Sequence, residues 1–301
     1  NCSLSNGSIK IYPGGGSTPY KYAWSDGDTT GIRTGLHGGK YTVSITDAFN
    51  QLIIDSVTIG YPLVSSIPYS YDWESGFEMW KQEQNDDFDW TLRTGGTPSN
   101  LTGPLGASTN NFYIYTETSN PVSGGDQATI LSPCFDLSNL PAPKIDIENH
   151  TYGDNLASLI LEVDSGNGVW YTLGARTGSS VQDWNQDTLP LFYVKDKIVQ
   201  FRFTSTASTD TTYASDMALD EITVEKGELL QFTNLSKQVA TCAGLNDGSM
   251  SVKVKGGYAP YTFVWSNGDS TTSAQNITSG TYSVTVYDAY GDFIDTSASI
   301  F

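Results

Sequence analysis

Residues 15–28 read GGSTPYKYAWSDGD, and residues 256–269, near the other end of the chain, read GGYAPYTFVWSNGD. The likeness continues on both sides without a gap, so that residues 7–48 align with residues 248–289. Similarity at one fixed offset indicates a repeated structural unit. The sequence therefore predicts one small module that occurs twice, here called the N-terminal module and the C-terminal module.

Each module alternates large apolar residues with other residues over short stretches that end in turn residues. The alternating positions are Tyr20, Tyr22, Trp24, Tyr41, Val43 and Ile45 in one copy, and Tyr261, Phe263, Trp265, Tyr282, Val284 and Val286 in the other. A period of two places these side chains on one face of a strand, and several short strands of this kind predict a small Ig-like β-sandwich. We expect Trp24 and Trp265, which hold equivalent positions, to lie in the two cores.

Both modules carry the same motifs in the same order. These are Gly-Gly-x-x-Pro-Tyr at 15–20 and 256–261, Trp-Ser-x-Gly at 24–27 and 265–268, and Gly-x-Tyr-x-Val at 39–43 and 280–284. The series resembles the SprB repeat, a family that occurs in tandem on exported bacterial surface proteins. The chain has Gln51 and Asp292 where the family often has a second cysteine.

The N-terminal module is assigned residues 1–62, the C-terminal module residues 229–301, and a different, central domain residues 63–228. Longer alternating runs in the central domain are Leu159, Leu161 and Val163, and Val199, Phe201 and Phe203. Such runs predict half-buried strands, and no segment shows a capped apolar helical stripe. We expect an all-β chain with a single sandwich in the centre.

The central domain carries an ordered series of further motifs. They are Asp72-Trp73-Glu74, Asp86-Asp87-Phe88-Asp89-Trp90, Gly96-Thr97-Pro98-Ser99, Thr102-Gly103-Pro104, Gly125-Asp126-Gln127-Ala128, Leu131-Ser132-Pro133 and Asp216-Met217-Ala218-Leu219-Asp220-Glu221-Ile222. This series resembles the MAM domain. The resemblance implies a jelly-roll β-sandwich used in adhesion and as a noncatalytic partner of secreted proteases. The disulfide cysteines of animal MAM domains are missing, since only Cys134 lies in this domain.

The charge balance excludes some partners. The chain has 15 Lys and Arg against 33 Asp and Glu, a formal net charge of −18, so nucleic acid and anionic lipid surfaces are repelled. Bound divalent cations would relieve the repulsion among the carboxylates, although solubility alone also accounts for the excess. The apolar stretches are far shorter than the roughly 18 residues of a membrane span, so we expect no membrane-spanning segment.

The cysteines are three, Cys2, Cys134 and Cys242, and they are far apart in the sequence. An odd number at such spacing predicts no disulfide framework. We expect each to be unpaired, and a reducing agent to leave the thermal stability unchanged.

Enzyme signatures are absent from the sequence, so we expect no catalytic activity. We expect His37 to be a solvated loop residue and His150 to have a structural role. Aromatic residues offer one possible ligand platform, because sugar rings stack on indoles. The candidates are Trp80, Trp90, Trp170 and Trp184, foremost Trp80, Trp170 and Trp184. Packing in the core is the alternative role for these rings.

A calcium site is predicted from the phase of the strands in the central domain. Asp220 shares a face with Ile222 and therefore points inward, where an unpaired charge is costly. Asp72 and Glu74 share a face on the opening strand, which we expect beside the last strand, and Asp126 could complete an oxygen cage. The alternative is that these carboxylates accept hydrogen bonds from backbone amides at strand ends.

Together these features predict a noncatalytic adhesion or presentation region of a secreted or cell-surface bacterial protein, as part of a longer exported chain. The expected partners are a surface glycan or protein ligand and neighbouring domains. The alternative is a carbohydrate-binding accessory region of a secreted peptidase or glycoside hydrolase.

Overall fold

The computed structural model describes residues 2, 7–36, 38–99, 102–119, 121–153, 157–209, 216–242 and 244–301 of the chain. Within these residues the regular structure is β-strand, apart from one short 3-10 helix at Phe192–Val194. None of the described helical structure is long and apolar enough to cross a bilayer. The all-β class expected from the period-two pattern is confirmed.

The chain forms two compact units. The first comprises Asn1–Asn139, Ile145–Leu189 and Val194–Glu225, and the second Leu140–Lys144, Pro190–Tyr193 and Lys226–Phe301. The first unit thus holds the N-terminal module together with most of the central domain, and the second unit holds the C-terminal module.

Two small sheets form the N-terminal module. Its strands are β1 (Gly7–Lys10), β2 (Lys21–Trp24), β3 (Ile32–Leu36), β4 (Gly39–Thr46) and β5 (Leu52–Ile59). β1 pairs with β3 in one sheet, and the other has the order β2-β4-β5. The core cluster consists of Ile9, Trp24, Leu36, Val43 and Ile45. The burial predicted for Trp24 is confirmed.

Two six-stranded sheets form the central domain, and they explain its long alternating runs. The strands are β6 (Leu63–Val64), β7 (Tyr69–Tyr71), β8 (Lys81–Gln82), β9 (Thr91–Arg93), β10 (Tyr113–Tyr115), β11 (Gln127–Asp136), β12 (Pro143–His150), β13 (Ser158–Asp164), β14 (Trp170–Thr177), β15 (Asn185–Pro190), β16 (Ile198–Thr206) and β17 (Ala218–Lys226). One sheet has the order β15-β12-β17-β10-β9 with β7 on β17, and the other the order β14-β13-β16-β11-β6 with β8 on β11. β7 pairs antiparallel with β17, Tyr71 opposite Ile222, so the opening strand of the central motifs lies beside the last strand as expected. β7 ends at Tyr71, however, so Asp72 and Glu74 follow the strand and do not lie on one of its faces.

The second unit contains the C-terminal module. Its strands are β18 (Gln231–Gln238), β19 (Gly248–Lys255), β20 (Thr262–Trp265), β21 (Ser273–Ile277), β22 (Gly280–Tyr287) and β23 (Phe293–Ile300). They form two sheets, β18-β19-β21 and β20-β22-β23. Trp265 is 2% exposed in the core cluster of the module, which confirms the burial predicted for it.

A disulfide corrects the expectation that all cysteines are unpaired. Cys2 and Cys134 are bonded, with Cα atoms 5.6 Å apart although 132 residues separate them in the sequence. Cys242 is free and exposed. Each sulfur has no partner within its own module, and the bond therefore joins the N-terminal module to strand β11 of the central domain.

Candidate functional site

The main polar site of the central domain is a group of carboxylates that accept hydrogen bonds from one loop segment. Asp220 in β17 is fully buried, and its Oδ2 accepts hydrogen bonds from the backbone N–H groups of Ser108, at 2.6 Å, and Thr109, at 2.8 Å. The inward orientation predicted from the strand phase is confirmed. Asp220 thereby attaches the segment 108–112 to the sheet.

Glu74 and Asp72 hold the same segment from the other side. Glu74 Oε1 accepts the N–H groups of Asn111, at 2.8 Å, and Phe112, at 2.6 Å. Asp72 Oδ2 accepts a hydrogen bond from Asn110 Nδ2 at 3.0 Å. Three of the four carboxylates predicted from sequence to belong together therefore meet on one segment, and we call Asp72, Glu74, Asp220 and residues 108–112 the loop clasp.

The loop clasp depends on an unusual backbone at Trp73, between Asp72 and Glu74. Trp73 has a φ of 64°, in the left-handed region, which is unfavourable for a residue with a Cβ. The backbone there turns the indole into the core, where it is fully buried and donates a hydrogen bond from Nε1 to the carbonyl oxygen of Asp220. Burial of the indole offsets the conformational cost.

The carboxylates of the clasp differ in electrostatic environment. Burial raises the pKa of Asp220 to about 6, against the opposing effect of the two backbone hydrogen bonds, and the charges of Glu221 and Asp72 raise it further. Glu74 is exposed, and its hydrogen bonds from Phe112 and Asn111 lower its pKa. Hydrogen bonds to the charged form favour ionisation, whereas loss of water disfavours it.

Asp126 lies apart from the clasp. Its Oδ2 accepts the N–H of Ser123 at 2.7 Å, in the turn before β11. Across the described ranges no group of three or more His, Cys, Asp or Glu side chains is arranged to hold a metal ion. The oxygens of Asp72, Glu74 and Asp220 face N–H donors, which is the alternative arrangement considered from the sequence.

A second buried acid, Asp216, was not among the predicted site residues. It is fully buried just before β17, and Thr102 Oγ1 donates to its Oδ2 at 3.0 Å. Burial and the nearby charge of Glu117 raise its pKa to about 6. Its only sequence signal is its place in the Asp-Met-Ala-Leu-Asp motif, four residues before Asp220, so strand phase alone did not single it out.

The tryptophans proposed as a ligand platform are dispersed. Trp80 is 2% exposed, and its ring packs against Trp73 and Phe203 with centroids 5.2 and 6.0 Å away. It therefore has no face open to a ligand and takes the packing role. Trp90 is likewise 2% exposed.

Trp170 and Trp184 are half-buried. Arg202 lies over the Trp170 ring at 4.5 Å. Trp184 packs edge-on against Tyr113 and His150. Among the ring contacts of the described residues, none joins two of Trp80, Trp170 and Trp184, so these residues do not form a single platform.

His150 has the structural environment expected for it. It is fully buried, its Nε2 lies 3.2 Å from the carbonyl oxygen of Gln182, and burial lowers its pKa. The imidazole is therefore held neutral at physiological pH. His37 lies outside the described residues.

A small cavity opens between the two sheets of the central domain. It has a volume of about 170 Å³ and apolar walls from Ile147, Leu161 and Leu189, among others. Asn149 reaches it from β12, 1% exposed, with Nδ2 donating to Asp187 Oδ2 at 2.8 Å.

The cavity also carries an ion pair and an unused acceptor. Arg176 Nε donates to Asp187 Oδ2 at 2.9 Å, and this contact lowers the pKa of Asp187. Asn149 Oδ1 has no hydrogen-bond partner among the residues that the structure describes. A buried acceptor of this kind can take a hydrogen bond from a hydroxyl or amine of a ligand.

Comparisons with known proteins agree with the motifs. The family model described as MAM domain, meprin/A5/mu, matches residues 70–228, and the SprB repeat model matches residues 1–29 and 238–270. Among curated proteins, MAM domain-containing glycosylphosphatidylinositol anchor protein 2 of Mus musculus is 26% identical over 194 residues, 56% of this chain and 20% of that protein. The corresponding protein 1 of Homo sapiens is 30% identical over 156 residues, 49% of this chain and 16% of that protein. The chain thus spans about a fifth or less of these relatives.

Among solved structures, the chain is similar to the K1 cleaved adhesin domain of Lys-gingipain from Porphyromonas gingivalis W83. The match has a TM-score of 0.40 and 18% sequence identity, and it covers 54% of this chain and 99% of that domain. A carbohydrate-binding module of the β-sandwich superfamily has a TM-score of 0.35 and 14% identity, covering 69% of this chain and 84% of that one. Both TM-scores are too low to support a functional conclusion.

Proposed function

Since the chain belongs to the MAM domain family, meprin/A5/mu, through residues 70–228, we propose that it is a noncatalytic adhesion and presentation region of a secreted or cell-surface protein. Repeats of the SprB type on both sides of the domain support a surface location. The names of the curated relatives include a glycosylphosphatidylinositol anchor, which supports the same location. The net charge of −18 favours partners other than nucleic acid.

The observation that carries this proposal is that the polar side chains of the site are engaged in contacts that hold the fold together. The carboxylates of the loop clasp accept backbone N–H groups, His150 is buried against a carbonyl oxygen, and Cys134 is in a disulfide. A general base or nucleophile needs a free, correctly placed proton acceptor. These groups instead hold loops and strands in place, which suits a rigid binding surface.

In a direct test, beads that carry the 301-residue chain are applied to a glycan array and to bacterial and animal cells, and their binding is measured. We expect saturable binding with no hydrolysis of peptide or glycoside substrates. Trp170→Ala tests the half-buried ring, and Tyr171→Ala, the exposed neighbour on the same strand, is the matched control. Turnover of a substrate without surface binding would overturn the proposal.

The second candidate is carbohydrate binding, and the cavity beside Asn149 favours it. Ligand pockets usually combine apolar walls with a few polar groups, in volumes of about 300–1,000 Å³. The cavity is smaller, at about 170 Å³, so we propose that it takes one sugar ring, with a hydroxyl donating to Asn149 Oδ1.

The cavity can be tested on the same glycan array. Arg176→Ala removes the ion pair with Asp187 and is expected to weaken glycan binding. Lys197→Ala removes an exposed positive charge elsewhere in the central domain and is expected to leave binding unchanged. Equal binding by the Arg176→Ala chain and the unchanged chain would exclude the cavity.

Calcium remains a separate proposal from the sequence. The convergence of Asp72, Glu74 and Asp220 on one segment supports it, while Asp126 lies elsewhere. A bound ion would have to compete with the N–H groups that face these oxygens. Under this proposal, added Ca²⁺ raises the melting temperature by several degrees over chelator, and Asp220→Ala removes the difference. Identical melts with Ca²⁺ and chelator would exclude the ion.

A further inference from the structure

The C-terminal module carries two exposed aromatic rings on the outer face of one of its sheets. Tyr287 ends β22 and Phe293 begins β23, and the two residues are directly paired. Tyr287 is 38% exposed and Phe293 61%. Their neighbours Val286 and Ile294, which also pair with each other, belong to the core cluster or pack against it. Because successive side chains in a strand alternate between faces, the two rings point away from the core.

The two rings form one continuous apolar surface. Their centroids are 5.6 Å apart and their planes are inclined by 42°. Water covers the outer side of both rings, although the burial of aromatic surface is favourable. The pair therefore offers an apolar surface that a ligand can cover.

The sheet does not require aromatic residues at these positions. At the offset that aligns Gly7 with Gly248, the counterparts of the two rings are Thr46 and Leu52, which are directly paired as well. The N-terminal module builds the corresponding sheet, β2-β4-β5, with these two residues. The aromatic pair is thus a feature of the C-terminal module that the shared fold does not explain.

The same face is open to water in both copies of the module. Leu52 is 61% exposed in the N-terminal module, which the central domain follows in the sequence. Phe293 is equally exposed in the C-terminal module, which the central domain precedes. Strand β18 belongs to the other sheet of its module and covers the core side. The exposure of the outer face is therefore a property of the module in either position along the chain.

Polar side chains border the rings on this face. Thr262 of β20 is paired with Tyr287, and Thr285 of β22 lies between Val264 and Asp295 in the ladder. The side chain of Asp295 is exposed. Hydroxyl groups donate and accept hydrogen bonds, and a carboxylate accepts them. An apolar surface beside such groups suits a sugar, whose C–H face covers an aromatic ring while its hydroxyl groups form hydrogen bonds.

The size and charge of the face favour a glycan over a protein. A stable protein interface buries roughly 800 Å² on each partner and has few charged residues at its centre. Here the apolar group consists of the two rings and Val264, with the carboxylate of Asp295 beside it. The next pair along the face is Ser283 and Ser297. The negative charge of Asp295 favours a neutral glycan over an anionic one.

We propose that the C-terminal module binds a neutral glycan chain across Tyr287 and Phe293. The sugar units are hexoses with equatorial hydroxyl groups, such as glucose or N-acetylglucosamine, because these rings have flat C–H faces that can cover an aromatic ring. Each aromatic ring takes one sugar unit, and a sugar hydroxyl donates to Asp295. The site is separate from the central domain, and it does not rest on the function proposed for that domain.

The test is isothermal titration calorimetry of the 301-residue chain with cellohexaose and with chitohexaose. We expect saturable binding of at least one of these glycans, with one glycan bound per chain. Hexagalacturonate, a chain of the same length with a carboxylate on every unit, is expected not to bind, because Asp295 repels it.

Two matched double variants locate the site. Tyr287→Thr with Phe293→Leu introduces the residues that the N-terminal module has at these positions, and it is expected to weaken binding at least about tenfold. Tyr12→Thr with Phe49→Leu makes the same two changes in the N-terminal module, at positions that are 77% and 76% exposed. This control is expected to bind like the unchanged chain, and thermal melts check that both variants fold.

Four outcomes would overturn the proposal. They are absence of saturable binding by both neutral hexasaccharides, equal weakening by the two double variants, loss of binding in Arg176→Ala alone, and a Phe293-dependent dimer in light scattering. Loss in Arg176→Ala alone would assign the glycan to the cavity of the central domain. The dimer would mean that a second copy of the chain covers the rings. Adhesion through the central domain is measured independently, because its variants lie in that domain.

Discussion

Asp220 shows how one buried carboxyl group serves the structure at an energetic cost. It is fully buried, yet two backbone N–H groups reach its Oδ2. The hydrogen bonds stabilise the carboxylate, but loss of water outweighs them, and the pKa rises to about 6. The residue therefore fixes the segment 108–112 most firmly when it is charged, while burial favours its neutral form.

This balance predicts a pH dependence that Asp220→Asn removes. A carboxyl whose folded pKa exceeds its unfolded pKa releases its proton first in the unfolded chain, so stability falls as pH rises from about 4 to about 6 and then levels off. The unchanged chain is expected to lose on the order of 2 kcal/mol relative to Asp220→Asn over this range. Urea unfolding of both proteins at several pH values measures the difference. A constant difference between pH 4 and pH 7 would contradict the raised pKa.

At the scale of elements, the conformation of the loop 108–112 depends on two side chains, Asp220 in β17 and Glu74 just after β7. Asp220 holds its first half, through Ser108 and Thr109, and Glu74 holds its second half, through Asn111 and Phe112. The loop lies before β10 and lacks ladder partners of its own. Its order therefore follows from these carboxylate contacts.

Because Glu74 and Asp220 bind different halves of the loop, Glu74→Ala is predicted to have a local effect. The N–H groups of Asn111 and Phe112 lose their acceptor, so their amide hydrogens are expected to exchange faster with solvent. The amides of Ser108 and Thr109, which donate hydrogen bonds to Asp220, are the internal control and are expected to stay protected. Hydrogen exchange followed by NMR measures the exchange rates of all four amides. Equal acceleration across 108–112 would mean that the loop opens as one unit.

At the scale of the whole molecule, the disulfide between Cys2 and Cys134 is a covalent cross-link that joins the N-terminal module to the central domain in addition to the main chain. It closes a long loop, because 132 residues separate the cysteines. Cross-links over long loops restrict the unfolded chain the most.

We therefore expect Cys134→Ser, or a reducing agent, to lower the stability of the chain by about 2–4 kcal/mol. Differential scanning calorimetry gives the corresponding drop in melting temperature. Cys242→Ser is the control, because this cysteine is free and exposed, and it is expected to melt like the unchanged protein. An unchanged melting temperature in the Cys134→Ser variant would contradict the disulfide and support the expectation, drawn from cysteine spacing, that the cysteines are unpaired.

The central domain is expected to fold without its flanks. In the part of the chain that the structure describes, all ladder pairings of the two six-stranded sheets lie within residues 63–227, so the central domain borrows no described strand from either module. A fragment of these residues that carries Cys134→Ser, which avoids a free thiol, is expected to show β-type circular dichroism and a cooperative melt. A disordered spectrum would mean that the domain needs the N-terminal module, with which it shares a compact unit.

Local alternation predicted strands and several buried positions, and similarity at one fixed offset predicted the repeated module. Trp24, Trp265 and Asp220 were expected to point inward from their phase, and they do. Side-chain direction in a strand is set by the backbone period of two, which is a local property that any sequence window displays. The MAM and SprB assignments rest on ordered local motifs for the same reason.

Contacts between distant segments were decided only by the tertiary structure. The bond from Cys2 to Cys134 and the burial of Trp80 against Phe203 join residues whose separation carries no periodic signal. The carboxylates of Asp72, Glu74 and Asp220 were grouped correctly, but their N–H partners lie in a loop without a pattern. The sequence thus determined which side of each strand faces inward, whereas the folded chain alone determined which distant groups meet there, because chain closure and packing select those partners jointly.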